Sequence, residues 1–125
     1  MNIKTIRNQN IAIVDKDEKI TNAQDILDIM ATSQYNSNCI GMILYKENLD
    51  ESFFDLKTGL AGEILQKFSN YHFKLGIVGD FSHYTSKSLR DFIYECNMGN
   101  MVYFKEDLDS ALSALVPETS KKHEN

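Results

Sequence analysis

At 125 residues the chain has the size of one domain, able to bury about two-thirds of its unfolded surface. Hydrophobic residues make up 42% and charged residues 25%, as in ordinary folded proteins, and the net charge of −5 argues against nucleic acid, whose phosphates need a basic face. No apolar run nears the roughly 18 residues of a membrane span, and the opening MNIKTIRNQN lacks a signal peptide's apolar core, so no membrane partner and a cytoplasmic location are expected.

KTIRNQNIAIVDK (4–16) reads as two short strands about a polar Asn8–Gln9–Asn10 turn. In TNAQDILDIMATSQYN, Thr21 and Gln24 have the spacing of a capping box, and Ala23, Ile26, Leu27 and Met30 recur at helical period. CIGMILY (39–45) is a continuous apolar run of strand length, suited to burial on both faces. A second helix is predicted over 53–70, with Leu56, Leu60, Ile64, Leu65 and Phe68 inward. KLGIVGD (74–80) is another buried strand. SKSLRDFIYECNMG (86–99) is a third helix, capped by Ser86, turning Leu89, Phe92, Ile93 and Cys96 inward and ending on a C-cap glycine. MVYF (101–104) is the last strand, and EDLDSALSAL (106–115) is a short helix with acids in its first turn. Residues 117–125 read as a disordered polar tail.

The order β-β-α-β-α-β-α-β-α predicts a single α/β domain over 1–116, with a mainly parallel sheet carrying helices on its faces. In open sheets of this class, ligands bind beyond the carboxyl ends of the parallel strands. Those ends lead here into loops 46–54, 80–85 and 105–106.

Two groups of residues are candidates for function. The first is Lys57, Thr58, Gly59 and Gly62, at the start of the second helix. Each glycine costs a helix roughly 1 kcal/mol relative to alanine. With Ala61 they form a small-residue patch that lets the helix approach a neighbouring backbone, or that leaves room for a partner. Thr58 lies in the first turn if Asp55 is the N-cap, and a turn deeper, bonding back to a carbonyl, if Ser52 is the cap; the Ser52 start is preferred. The second group is Asp80, Ser82, His83, Ser86, Lys87 and Arg90. Helix amides, the serines, Lys87 and Arg90 together would suit a phosphate or carboxylate, and Asp80 with His83 would suit acid–base work; solvated loop charge is the plain alternative. GDFSHY lacks the nucleophile-elbow pattern, and neither a P-loop nor a GxGxxG is present. Cys39 and Cys96 have no CxxC context, and His72, His83 and His123 lack ligand spacing, so neither a metal nor another cofactor is expected.

FFDLKTGLAGEILQKFSNY (53–71), KLGIVGDFSHYTSKSLRDFIYECNMG (74–99) and the following VYF resemble a bacterial family known as a domain of unknown function, over 1–116. The element order is also similar to STAS-like domains, including anti-sigma-factor antagonists. In those a helix opens with Asp-Ser-Ser/Thr-Gly, and a partner kinase phosphorylates the second hydroxyl residue. LKTGL (56–60) laid over that motif puts Thr58 at the phosphorylated position and Gly59 at the glycine, with Leu56 and Lys57 replacing the Asp and the first hydroxyl. The resemblance implies a non-enzymatic regulatory or protein-binding module tuned at Thr58. A small anionic-ligand-binding protein or minor enzyme, with its site at the ends of the third and fourth strands, is the alternative. Self-association as a homodimer through an edge strand also stays open.

Overall fold

In the computed structural model, which describes residues 1–118, the chain opens with a hairpin of strands β1 (Asn2–Ile6) and β2 (Gln9–Ile13). Of the expected tail, Pro117 and Glu118 are described and exposed, and the remainder lies outside the described residues. Arg7 and Asn8 make the turn with left-handed φ of 49° and 69°. That is the two-residue geometry whose twist matches antiparallel strands. The turn therefore falls one residue before the Asn8–Gln9–Asn10 predicted from composition, and Asn10 belongs to β2.

Helix α1 (Ala23–Ser37) is capped by Asn22, whose side chain accepts from the Asp25 amide, while the Asp25 carboxylate accepts from the Thr21 amide. The cap is thus one residue later than the Thr21–Gln24 spacing predicts, because Asn22 is the stronger cap beside it. Then follow β3 (Gly41–Tyr45), α2 (Leu60–Asn70), β4 (Lys74–Val78), α3 (Lys87–Met98), β5 (Val102–Lys105) and α4 (Leu108–Leu115). Ser86 caps α3 as expected, but Gly99 at its other end has φ −91° and is no left-handed cap.

The five strands form one mixed sheet in the order β1-β2-β3-β4-β5, with β1 antiparallel to β2 and the other pairs parallel. Strand order follows chain order, so every parallel crossover steps the same way, and right-handed crossovers put α1, α2 and α3 on one face. The core divides accordingly. Ile26, Met30, Ile64, Phe68 and Leu89 of those helices pack on Met42, Leu44, Leu75, Ile77 and Phe104 of the sheet. On the other face Ala111, Leu112 and Leu115 of α4 pack on Ile11, Ile43 and Val78. Gly76 makes that contact close: a Cβ there would meet Ile43 Cδ1 at 2.8 Å and Ala111 Cβ at 3.3 Å.

This order has a consequence for function. Ligand crevices in open α/β sheets form where strand order reverses, and here it never does. The carboxyl edge is covered by loops instead. Among the described residues, no helix is long and apolar enough to cross a membrane.

Candidate functional site

The second helix predicted over 53–70 starts at Leu60. Before it, residues 46–59 form a ledge of three 3-10 turns, Lys46–Asn48, Glu51–Phe54 and Leu56–Thr58. Local side-chain bonds hold these turns in place of a longer helix. The Asp50 carboxylate accepts from the Ser52 amide at 3.0 Å, and Asp55 accepts from the Lys57 amide at 3.3 Å. Gly59, with φ of 81°, then turns the chain into α2.

Asn48 anchors the ledge and is 0% exposed. Its amide donates to the carbonyls of Asp15 and Glu18, both at 2.7 Å, and its side-chain oxygen accepts from the Tyr45 amide at 2.7 Å. Its own carbonyl accepts from the Ile20 amide at 2.8 Å, so the loops after β2 and β3 are tied together. Buried Phe53 and Phe54 pin the middle turn to the core. Phe54 stacks on Tyr84 at 5.2 Å and packs against Phe81 at 5.9 Å, and Phe81 meets Phe104 edge-on at 5.3 Å. The Tyr84 hydroxyl donates to Glu51 at 3.0 Å, and burial, then that carboxylate, push the phenol well above its usual range. Lys46 Nζ lies 5.1 Å from the Tyr84 ring centre. An aromatic seam therefore joins the ledge to the loop after β4.

The structure places the first candidate group at the end of this ledge. The Thr58 hydroxyl lies 2.7 Å from the Ser52 carbonyl and 2.9 Å from that of Asp55, and it accepts from the Leu60 amide at 3.3 Å. It clasps the last two turns together and sits outside α2, so neither Asp55 nor Ser52 caps that helix. Lys57, Thr58, Gly59 and Gly62 are all exposed. A Cβ on Gly59 or Gly62 would meet nothing within 4 Å. The expectation that these glycines pack α2 against a neighbouring backbone is therefore corrected: Gly59 serves a left-handed turn, Gly62 faces solvent, and of the patch Ala61 alone is buried.

The second group is exposed, and most of its members engage their own neighbours. Asp80 Oδ1 accepts from the Ser82 hydroxyl at 2.7 Å and the Ser82 amide at 2.9 Å, and these bonds hold the carboxyl below its usual range, with His83 and Lys46 adding to the effect. The His83 ring lies 4.3 Å from that of Tyr84. Ser86 Oγ accepts from the Leu89 amide at 3.2 Å, and Lys87 pairs with Asp91 at 2.7 Å on the same helix. The depression nearby, about 520 Å³, is bordered by Lys46, Glu51 and Asp80, and Ser86, Lys87 and Arg90 do not line it. The six residues share a loop and a helix start without converging on one point.

Among the described residues, no group of three His, Cys, Asp or Glu could hold a metal ion. Cys39 and Cys96 are free thiols; burial raises both, and Cys96 is pushed up to about 11. Asn48 and Phe54, which build the ledge, and Tyr84, which braces it from the loop after β4, are not among the residues that the sequence singles out. One lone Asn in the charged stretch YKENLD has no spacing to mark it.

A family model described as "Domain of unknown function (DUF4180)" matches residues 6–115. The chain belongs to this family. The DUF4180 match runs from the last residue of β1 to the last residue of α4, so it holds both the ledge and the loop after β4. No curated protein and no solved structure matches the chain.

Proposed function

We propose that this DUF4180 domain is a non-enzymatic regulatory module of the bacterial cytoplasm that presents the ledge and the start of α2 to a protein partner. One observation carries the reading: Asp50, Asp55 and Thr58 bond within the ledge and Asn48 ties it to the loop after β2, so Lys57, Thr58, Gly59 and Gly62 are exposed on a fixed frame. A preordered surface loses little entropy on binding. The two open glycines let another backbone come close. The STAS-like order of elements supports the same reading and makes Thr58 the point of control. Phosphate there would displace the hydroxyl from the Ser52 and Asp55 carbonyls. It would also add about −1.5 to −2 charges beside Lys57 and the amino end of α2.

The small-anion alternative has less support, because Ser86 and Lys87 are engaged within their own helix. The test is affinity capture from native lysate with wild type, Gly62→Tyr and Thr58→Glu. A partner retained by wild type and lost by Gly62→Tyr, with the melting temperature not lowered, is the expected result. Thr58→Glu should shift the same partner's affinity. Absence of a partner, or one indifferent to both substitutions, would overturn the reading.

A further inference from the structure

The loop after β4, residues 80–85, is exposed except at Phe81 and Tyr84, which are half-buried. Its own bonds are local: Ser82 bonds to Asp80, and the Tyr84 amide donates to the Phe81 carbonyl at 3.3 Å. Among the described residues, the bond from the Tyr84 hydroxyl to Glu51 is the one hydrogen bond that joins this loop to the rest of the chain. Phe81 and Tyr84 both pack on Phe54, at 5.9 and 5.2 Å between ring centres. Phe104 beneath Phe81 and the Lys46 ammonium over Tyr84 add to this hold. Three of these contacts therefore fall on Glu51 and Phe54, the first and last residues of a single 3-10 turn.

That turn is the one Thr58 clasps. The Thr58 hydroxyl lies 2.7 Å from the carbonyl of Ser52, inside the turn, and 2.9 Å from that of Asp55, just after it. We infer that Thr58 sets the order of the loop after β4 through the turn Glu51–Phe54. With the clasp closed, Glu51 and Phe54 are fixed to receive Tyr84 and Phe81. When the hydroxyl leaves the two carbonyls, the turn that carries both anchors loosens, and the loop with Asp80, Ser82 and His83 loosens with it. The turn does not unfold, because buried Phe53 and the Asp55 amide on the Ser52 carbonyl stay in place. Local openings of this kind occur well below the free energy of global unfolding. The inference rests on the role proposed for Thr58 as the point of control and extends it: the partner meets a surface that changes at the ledge and at the loop together.

Amide hydrogen exchange, read residue by residue by NMR on the full chain, tests the coupling. Thr58→Val should quicken exchange at the Tyr84 amide about fivefold or more, and Thr58→Ser, which keeps the hydroxyl, should leave it within about twofold. Coupling between two sites is reciprocal. Tyr84→Phe, which removes the bond to Glu51, should therefore quicken the Thr58 amide, which donates to the Asp55 carbonyl at 3.0 Å. The Gly79 amide, which donates to the Lys105 carbonyl at 3.0 Å just past β4, should keep its rate in all three variants and so separates local from general loosening. An unchanged Tyr84 rate in Thr58→Val, a change of the same size at Gly79, or an unchanged Thr58 rate in Tyr84→Phe would each overturn the inference. The measurement needs no partner, so a null result here would leave the capture result as it stands, and failure to capture a partner would leave these rates as they are.

Discussion

Gly59 and Gly62 lie three residues apart, and the same substitution should move stability in opposite directions at the two. Gly59 holds a φ of 81°, where an L side chain is strained, so Gly59→Ala should cost about 1 kcal/mol. Gly62 lies within α2 with open space where a Cβ would go, so Gly62→Ala should stabilise by up to about 1 kcal/mol through helix propensity. Urea denaturation of both variants checks the pair; equal signs would contradict the placement of the helix start. Thr58 adds a second residue-level prediction. Thr58→Val removes the clasp on the Ser52 and Asp55 carbonyls and should cost about 1 kcal/mol, whereas Thr58→Ser should be nearly neutral. Asn48 should be more sensitive than either. Asn48→Ala leaves the partly buried carbonyls it serves without their donor, a loss of about 2 kcal/mol, and Asn48→Asp should cost more, since a carboxylate cannot donate to them.

Between elements, one side chain of α3, that of Asn97, accepts from a backbone amide of β5. Asn97→Ala strips the Phe104 amide of its acceptor in a partly buried place. Hydrogen exchange at Phe104 should quicken, with a loss of about 1–2 kcal/mol, while amides of β4 keep their protection. The elements themselves were legible in the sequence, since apolar runs of strand length alternate with segments of helical period, and all five strands and four helices occur in the predicted order. What periodicity could not give is where competing local bonds win. Leu56 and Leu60 keep helical spacing across the start of α2, yet Asp50, Asp55 and Thr58 bond their own turns and delay the helix to Leu60. Thr21 and Asn22 are adjacent cap formers, and pattern alone favoured the wrong one. The candidate site was legible in residue type and loop position. The engagement of Ser82 with Asp80 was not, because the chain's path through the loop decides which neighbours meet.

Across the molecule, a net charge of −5 and a carboxyl edge built on aspartate caps give pH two opposed effects. Asp50, Asp80 and Asp107 each accept bonds from a serine two or three residues on, Ser52, Ser82 and Ser110, and all three are held below their usual range by those bonds. A carboxyl whose folded pKa is depressed contributes stability above its unfolded pKa of about 4, and that stability is lost as pH falls through the folded value. Self-repulsion of the negative molecule acts the other way, easing as protons neutralise it on the way down from pH 7. Thermal melts should therefore show a modest rise in midpoint from about pH 7 to about pH 5 and a fall below about pH 4. Salt separates the two causes. At about 0.5 M the long-range repulsion is screened and the rise should flatten, while the acid-side fall, set by bonds at contact distance, should persist. An Asp80→Asn, Asp107→Asn double variant keeps acceptors for both serines without carboxyls to protonate, so its midpoint should fall less steeply below about pH 4. A fall as steep as that of wild type would place the acid sensitivity outside these caps.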